Sequence, residues 1–359
     1  MSTVELEVAG LVKRYAPQVA IGPLSFSVME GEFFSLLGPS GCGKSTTLRC
    51  IAGFERVSEG RITLGGRQIH DVPAHKRDVG LVFQNYALFP HLTVFENVAF
   101  GLRLRRMSQA EIAERVVRML ELVGLPGQAR RYPAQLSGGQ QQRIAIARSM
   151  VLEPRLLLFD EPLSNLDFKL RVQMRNELRD LQRRLGKTSV YVTHDQTEAL
   201  ALSDRIAVLS QGRIEQIGAP ADIYEAPETA FVADFIGSSN IIEAAVTRND
   251  TTGSALRTTA GLELLATADP TKIADHCLIM VRPERIRLLE DEETDVLNRI
   301  SAEIDDITYL GEDIQLHIKA ASGERLLVLL KSERRTRALQ RNAKIALAID
   351  PSDIHFVRK

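Results

Sequence analysis

Residues 33–52 read Phe33-Phe-Ser-Leu-Leu-Gly-Pro-Ser-Gly-Cys-Gly-Lys-Ser-Thr-Thr-Leu-Arg-Cys-Ile-Ala52, and this stretch decides the fold. Phe33–Leu37 is a compact apolar run of the kind that forms a buried strand. Gly38-Pro-Ser-Gly-Cys-Gly-Lys44-Ser45 then satisfies the phosphate-loop pattern G-x-x-x-x-G-K-[ST], and the chain continues from Lys44 to Ala52 as a helix. The residue types have physical reasons. Glycines let the backbone wrap close to phosphates, so that successive N–H groups point at anionic oxygens. The helix start adds its positive end. Lys44 is placed to reach the β- and γ-phosphates, and the Ser45 hydroxyl to ligate Mg²⁺. The candidate nucleotide-binding residues here are Gly38, Pro39, Ser40, Gly41, Cys42, Gly43, Lys44, Ser45 and Thr46.

Strand, glycine turn and helix open a βαβ unit with a parallel sheet. Working outward, Val4, Leu6 and Val8 alternate with polar residues, and short apolar runs follow at Val79–Phe83, Leu156–Phe159, Val190–Thr193 and Ile206–Leu209. Helical patterns lie between them. Ser108 and Glu111 form a capping box ahead of Ile112, Val116, Met119 and Val123. Leu170, Met174, Leu178, Leu181 and Leu185 form a second apolar stripe. A buried face explains both. The run Leu156–Phe159 ends in Asp160-Glu161. A buried parallel strand delivers its last residues to the sheet edge where ligands bind, so Asp160 is expected to hold Mg²⁺ and Glu161 to orient or deprotonate a water.

Beyond Phe235 the character changes. Short alternating segments at Ile279–Val281, Ile314–Ile318 and Leu326–Leu330 predict a smaller, mostly-β, barrel-like domain. The boundary is expected near Gly237-Ser-Ser239. The organisation is therefore α/β over residues 1–237, with a helical subdomain at about 88–155, followed by a β domain over 238–359. Any internal repeat in the β region is too degenerate to read.

The 359 residues, 44% hydrophobic and 25% charged, suit two soluble domains. A formal net charge of −1 argues against a large nucleic-acid footprint. Cys42, Cys50 and Cys277 have neither disulfide nor metal-site spacing and read as reduced thiols. The start, Met1-Ser-Thr-Val-Glu-Leu-Glu7, lacks the basic-then-apolar order of a signal peptide. No run reaches the roughly 18 apolar residues of a membrane-spanning helix. Work at a membrane would need a partner.

Leu136-Ser137-Gly138-Gly139-Gln140, followed by Gln141-Gln-Arg-Ile-Ala-Ile-Ala-Arg148, discriminates among phosphate-loop proteins. With it the chain resembles the ATPase subunits of ABC transporters across nearly all of residues 1–240. The resemblance implies a homodimer that sandwiches two ATP molecules. Ser137, Gly138, Gly139 and Gln140 would meet the nucleotide held by the opposite subunit, and Tyr15 would stack on adenine. Gln84 would touch Mg²⁺ and sense a membrane partner. Ser164-Asn-Leu-Asp167 matches the loop that crosses the dimer interface; many relatives have alanine in place of Asn165, which leaves the role of Asp167 intact. His194 matches the switch histidine on the γ-phosphate. The catalytic set is then Glu161, His194 and Gln84, and the Mg²⁺ set Ser45, Gln84 and Asp160.

The apolar and aromatic segment Asn85–Gly101 suits a groove for a coupling helix of a permease. Together with Thr193–Leu200 and Phe235–Asn240 it is similar to importers of polyamines, ferric iron or sugars. Val281-Arg-Pro-Glu-Arg285 resembles their C-terminal extension of oligonucleotide-binding-type barrels, with a regulatory or dimer-stabilising role. The implied partners are integral membrane permease subunits and a separate solute-binding protein, with no nucleic acid. The implied location is the cytoplasmic face of the inner membrane. Polyamine (spermidine/putrescine) import is the first reading, with ferric iron or sugar import the alternatives. A soluble ABC-type ATPase acting on DNA or ribosomes would share the nucleotide motifs, but usually shows a coiled-coil insertion or tandem ATPase domains. A regulator that only binds ATP would not need Asp160, Glu161 and His194.

Overall fold

The computed structural model describes residues 3–15, 18–250, 253–267, 276–290, 293 and 296–359. Met1 and Ser2, on which the N-terminal reading begins, lie outside these residues. The chain divides into two compact units, Met1–Ala221 and Asp222–Lys359.

The first unit holds β1 (Val4–Tyr15), β2 (Gln18–Met29), β3 (Phe33–Leu37), α1 (Lys44–Ala52), β4 (Glu59–Leu64), β5 (Arg67–Gln68), β6 (Val79–Val82), α2 (Val94–Leu104), α3 (Gln109–Leu122), α4 (Gly138–Met150), β7 (Leu156–Asp160), α5 (Phe168–Leu185), β8 (Thr188–Thr193), α6 (Gln196–Leu202), β9 (Arg205–Ser210) and β10 (Arg213–Gly218). An antiparallel sheet runs β2-β1-β4-β5, and a six-stranded sheet runs β10-β9-β3-β8-β7-β6. In the second sheet β9, β3, β8, β7 and β6 are all parallel. The carboxyl ends of β3, β6, β7 and β8 therefore share one edge, which is where α/β sheets bind ligands. Burial explains the sequence pattern. All five residues of β3 and all six of β8 are buried, as expected for parallel strands covered on both faces.

The helical stripes bury as their periods require. Ile112, Val116 and Leu120 of α3 and Met174, Leu178 and Leu181 of α5 join one core with Val94, Val98 and Leu102 of α2. The expected capping box is present: the Ser108 hydroxyl accepts from the Glu111 N–H, and the Glu111 carboxylate accepts from the Ser108 N–H at 3.0 Å. Phe34, Leu36, Leu48 and Ile51 belong to a second core beneath the antiparallel sheet.

The second unit begins within α7 (Pro220–Glu225), continues through α8 (Ala230–Phe235), and then holds β11 (Asn240–Asp250), β12 (Gly253–Thr258), β13 (Glu263–Ala266), β14 (His276–Val281), β15 (Ile286–Leu288), β16 (Arg299–Tyr309), β17 (Asp313–Ala320), β18 (Arg325–Lys331), β19 (Lys344–Ile349) and β20 (His355–Val357). Two five-stranded sheets, β13-β12-β11-β14-β20 and β15-β19-β16-β17-β18, share one apolar core. The division lies ahead of Gly237, where the glycine-serine stretch placed it, and Arg282 supplies the reason. Its guanidinium donates to the carbonyls of Tyr224 (2.7 Å), Ala233 (2.9 Å) and Ser238 (3.2 Å), and lies 4.2 Å from the centre of the Tyr224 ring. Those bonds bind the 222–238 segment to the β domain.

A repeat unreadable in sequence is plain in three dimensions. Val281-Arg-Pro-Glu-Arg-Ile-Arg-Leu288 and Ile349-Asp-Pro-Ser-Asp-Ile-His-Phe356 each run from a strand through a proline-led 3₁₀ turn into a short strand. The two short strands change places: β15 pairs with β19, and β20 pairs with β14. This exchange closes the two sheets into the expected barrel-like domain.

Candidate functional site

Lys44 is 5% exposed, and its ammonium donates to the carbonyls of Gly38 (2.7 Å) and Pro39 (2.9 Å), so the phosphate loop curls around its own cation. The glycines are required by shape. A Cβ at Gly38 would lie 2.3 Å from the Leu209 carbonyl oxygen, and Gly43 has φ 102°. As N-cap of α1, Gly43 offers no side-chain acceptor, which leaves first-turn N–H groups free for an anion. Cys42 is buried beside Lys44, with Sγ 3.8 Å from Nζ, and burial pushes its thiol up. Gly41 lies at φ 82° within the loop, and Ser40 is exposed there with Pro39 half-buried. Thr46 stands half-buried in the first turn of α1. Tyr15, at the end of β1, is 48% exposed and lies 4.9 Å beneath the Lys13 ammonium, which leaves a ring face available for stacking.

The parallel strands bring the acidic and polar candidates to the same edge. The Ser45 hydroxyl donates to the Asp160 carboxylate at 2.9 Å. Glu161 Oε2 and His194 Nδ1 are 3.2 Å apart, delivered by the ends of β7 and β8. Glu161 has φ 47°, a left-handed conformation unusual for a glutamate, while its N–H donates to the Val192 carbonyl at 3.0 Å. Non-glycine residues held in such conformations concentrate at functional sites. The Ser164 hydroxyl donates to the Glu161 carbonyl at 2.9 Å, and the Gln84 carboxamide donates to Ser164 Oγ at 3.2 Å. Ser45, Asp160, Glu161, His194 and Gln84 thus form one connected constellation.

The signature residues sit elsewhere. Ser137 caps α4; its N–H donates to Gln140 Oε1 at 3.0 Å, and its hydroxyl accepts from the Gln140 N–H at 3.4 Å. Gly138 faces Leu166, and Gly139 is packed so closely that a Cβ would meet Met174 Sδ at 2.8 Å. These bonds and contacts lead to the 164–167 loop and α5, not to the phosphate loop. Asp167 caps α5 by accepting from the Leu170 N–H at 3.0 Å.

Several supporting residues had no signal in the motifs. Glu198, 3% exposed, accepts from the Tyr191 hydroxyl at 2.7 Å and the Thr193 hydroxyl at 2.8 Å, and burial holds its carboxyl above the usual range. It anchors β8, the strand that ends one residue before His194. Arg171 links the Leu166 carbonyl (3.1 Å) to Asp195 (3.3 Å). Arg148, at the far end of α4, grips the carbonyls of Tyr86 and Ala87. Their spacing in the chain could not have shown it.

The fold and this edge constellation define a phosphate-loop ATPase of the ABC transporter class. Residues 21–164 match the family described as ABC transporter, and residues 279–357 match the TOBE domain. The chain is 47% identical over 350 residues to a spermidine/putrescine import ATP-binding protein of Rubrobacter xylanophilus, covering 97% of this chain and 92% of that one. It is 46% identical over 340 residues to an Fe(3+) ions import ATP-binding protein of Rhizobium meliloti, covering 94% and 93%. Among solved structures, it resembles cbiO1 of Clostridium perfringens, part of an ABC transporter complex, with a TM-score of 0.57 at 29% identity over 62% of this chain and 90% of that one. A dimeric ATP-binding cassette solved after hydrolysis with ADP and Pi matches with a TM-score of 0.53 at 33% identity, covering 60% and 98%. The chain belongs to the ATP-binding, ATP-hydrolysing subunits of ABC transporters, in the group that carries a C-terminal TOBE domain. Among the described residues no helix is long and apolar enough to cross a membrane.

Proposed function

We propose that this chain powers polyamine import, as the ATP-hydrolysing subunit of a spermidine/putrescine transporter. One observation carries the cargo assignment: relatives of that name match at 47% and 51% identity over 97% and 88% of the chain. Iron is the second reading, supported by the 46% match to the Fe(3+) importer subunit. The subunit works as a homodimer at the cytoplasmic face of the membrane, docked on permease subunits that receive cargo from a separate binding protein.

The chemistry follows from the edge constellation. The loop N–H groups and Lys44 bind the β- and γ-phosphates, with Lys44 leaving the carbonyls of Gly38 and Pro39 for the anion. Glu161 orients and deprotonates the attacking water while His194, 3.2 Å away, contacts the γ-phosphate. The Ser45 hydroxyl and the Asp160 carboxylate, already 2.9 Å apart, are hard oxygen donors that suit Mg²⁺, with the Gln84 carboxamide nearby. Among the described residues no cluster of three or more His, Cys, Asp or Glu could hold a metal alone. A cation that shares its ligands with substrate phosphates and water needs no such cluster. When bound, Mg²⁺ would neutralise phosphate charge. The exposed signature then completes the site of the opposite subunit. In vesicles containing the assembled transporter, ATP should drive uptake of labelled spermidine, with Glu161→Gln abolishing it. ATP-driven uptake of ferric iron without spermidine uptake would favour the second reading.

A further inference from the structure

Gln84 is tied on two sides. Its own carboxamide reaches Ser164 Oγ at 3.2 Å, and Ser164 in turn reaches the Glu161 carbonyl at 2.9 Å. The Asn165 carboxamide closes the circuit by donating to the Gln84 main-chain carbonyl at 3.0 Å. Immediately downstream, Tyr86 (φ 59°) and Ala87 (φ 46°) hold left-handed conformations, an uncommon pair for residues with a Cβ. The Arg148 guanidinium fixes both, donating to their carbonyls at 2.9 and 2.7 Å from 5.4 Å above the Phe89 ring. Arg148 is drawn toward the neutral form by burial, and among the described residues no carboxylate lies within ion-pair distance of it. Its end of the segment is thus held by a half-buried cation. At the Gln84 end the main-chain carbonyl is held by one exposed amide, that of Asn165.

We propose that Asn165 is a positioning residue: by fixing the Gln84 backbone it sets where the Gln84 carboxamide stands relative to Glu161. The inference rests on the reading that Gln84 belongs to the ATP site. It requires that Asn165 act only through Gln84. A hydrogen bond of this kind is worth enough to shift a rate severalfold but not to abolish it.

The test is steady-state hydrolysis by the full-length chain carrying Asn165→Ala, Asn165→Asp, Gln84→Ala or the Gln84→Ala, Asn165→Ala pair. Asn165→Asp keeps the shape and loses the donor. Both Asn165 single variants should lower kcat roughly threefold to tenfold, with KM for ATP and Tm unchanged. In the Gln84→Ala background the second substitution should alter kcat less than about twofold, because coupled residues are non-additive. Wild-type kcat for Asn165→Asp, or additive losses in the pair, would overturn the proposal. If Gln84→Ala itself turns over at the wild-type rate, the site reading fails, and this inference fails with it.

Discussion

Glu161 and Lys44 sit at opposite ends of the same chemistry, and single substitutions separate them. Glu161→Gln preserves the shape of the side chain beside His194 but removes the base. It should keep ATP affinity and lower kcat by at least about 100-fold, the scale of general-base catalysis; steady-state turnover near wild type would remove Glu161 from that role. Lys44→Ala removes a cation already poised on the phosphate loop. Calorimetric titration should show ATP affinity weakened by about 1.5–3 kcal/mol. Both residues were legible in sequence because their motifs combine residue type, spacing and a strand context. Arg148 and Arg171 were not, because each acts through partners far along the chain or through backbone carbonyls that carry no residue identity; nor was Glu198, whose hydroxyl partners Tyr191 and Thr193 are near in the chain but whose burial no motif marks.

At the scale of elements, the parallel strands explain why distant motifs converge. The ends of β3, β6, β7 and β8 were readable as apolar runs followed by polar residues, so the edge constellation was largely foreseeable. What holds β8 in place was less so. Removing Glu198 would leave the Tyr191 and Thr193 hydroxyls without their acceptor in the core. Glu198→Ala should therefore cost about 2–5 kcal/mol in denaturant unfolding, whereas Glu198→Gln keeps an acceptor and should cost much less. Burial raises the Glu198 carboxyl above the usual carboxylate range, near 4.5 for a free glutamate. Its stabilising share is then full below that pH and declines as pH rises through the folded value. Relative to Glu198→Gln, wild-type stability should fall as pH rises above the ordinary carboxylate range; a constant difference would show that Glu198 titrates normally. The repeat in the β domain escaped sequence reading for a different reason. Across its eight aligned positions only Pro283/Pro351 and Ile286/Ile354 are identical, so the similarity lies in turn geometry and strand exchange.

At the scale of the whole molecule, the division into units makes the choice of truncation point matter. Val232, Ala233 and Ile236 are fully buried in the described structure, with Ala233 packed on Met280 and Val357. A chain ending at Gly237 would strip Met280 and Val357 from Ala233 and expose the apolar face of α8 on which they pack, at roughly 25 cal/mol per Å² of apolar surface uncovered. A chain ending at Ala219, after β10, should bind ATP and stay monodisperse by light scattering, while one ending at Gly237 should aggregate more readily. Loss of ATP binding in the shorter chain would mean that the β unit contributes to the nucleotide site. The central claim is that each nucleotide site is shared, since Ser137 and its neighbours engage the 164–167 loop and one another while the phosphate loop stands apart. The most direct measurement is the count of ATP trapped in a purified mixed dimer. One subunit carries Lys44→Ala, the other Ser137→Arg, and both carry Glu161→Gln to block turnover. Shared sites place both lesions in one site and leave the other intact, so the account predicts one ATP per mixed dimer and none in either parental homodimer. No trapped ATP in the mixed dimer, with two in a dimer carrying Glu161→Gln alone, would show that each subunit builds its own site and would contradict the account.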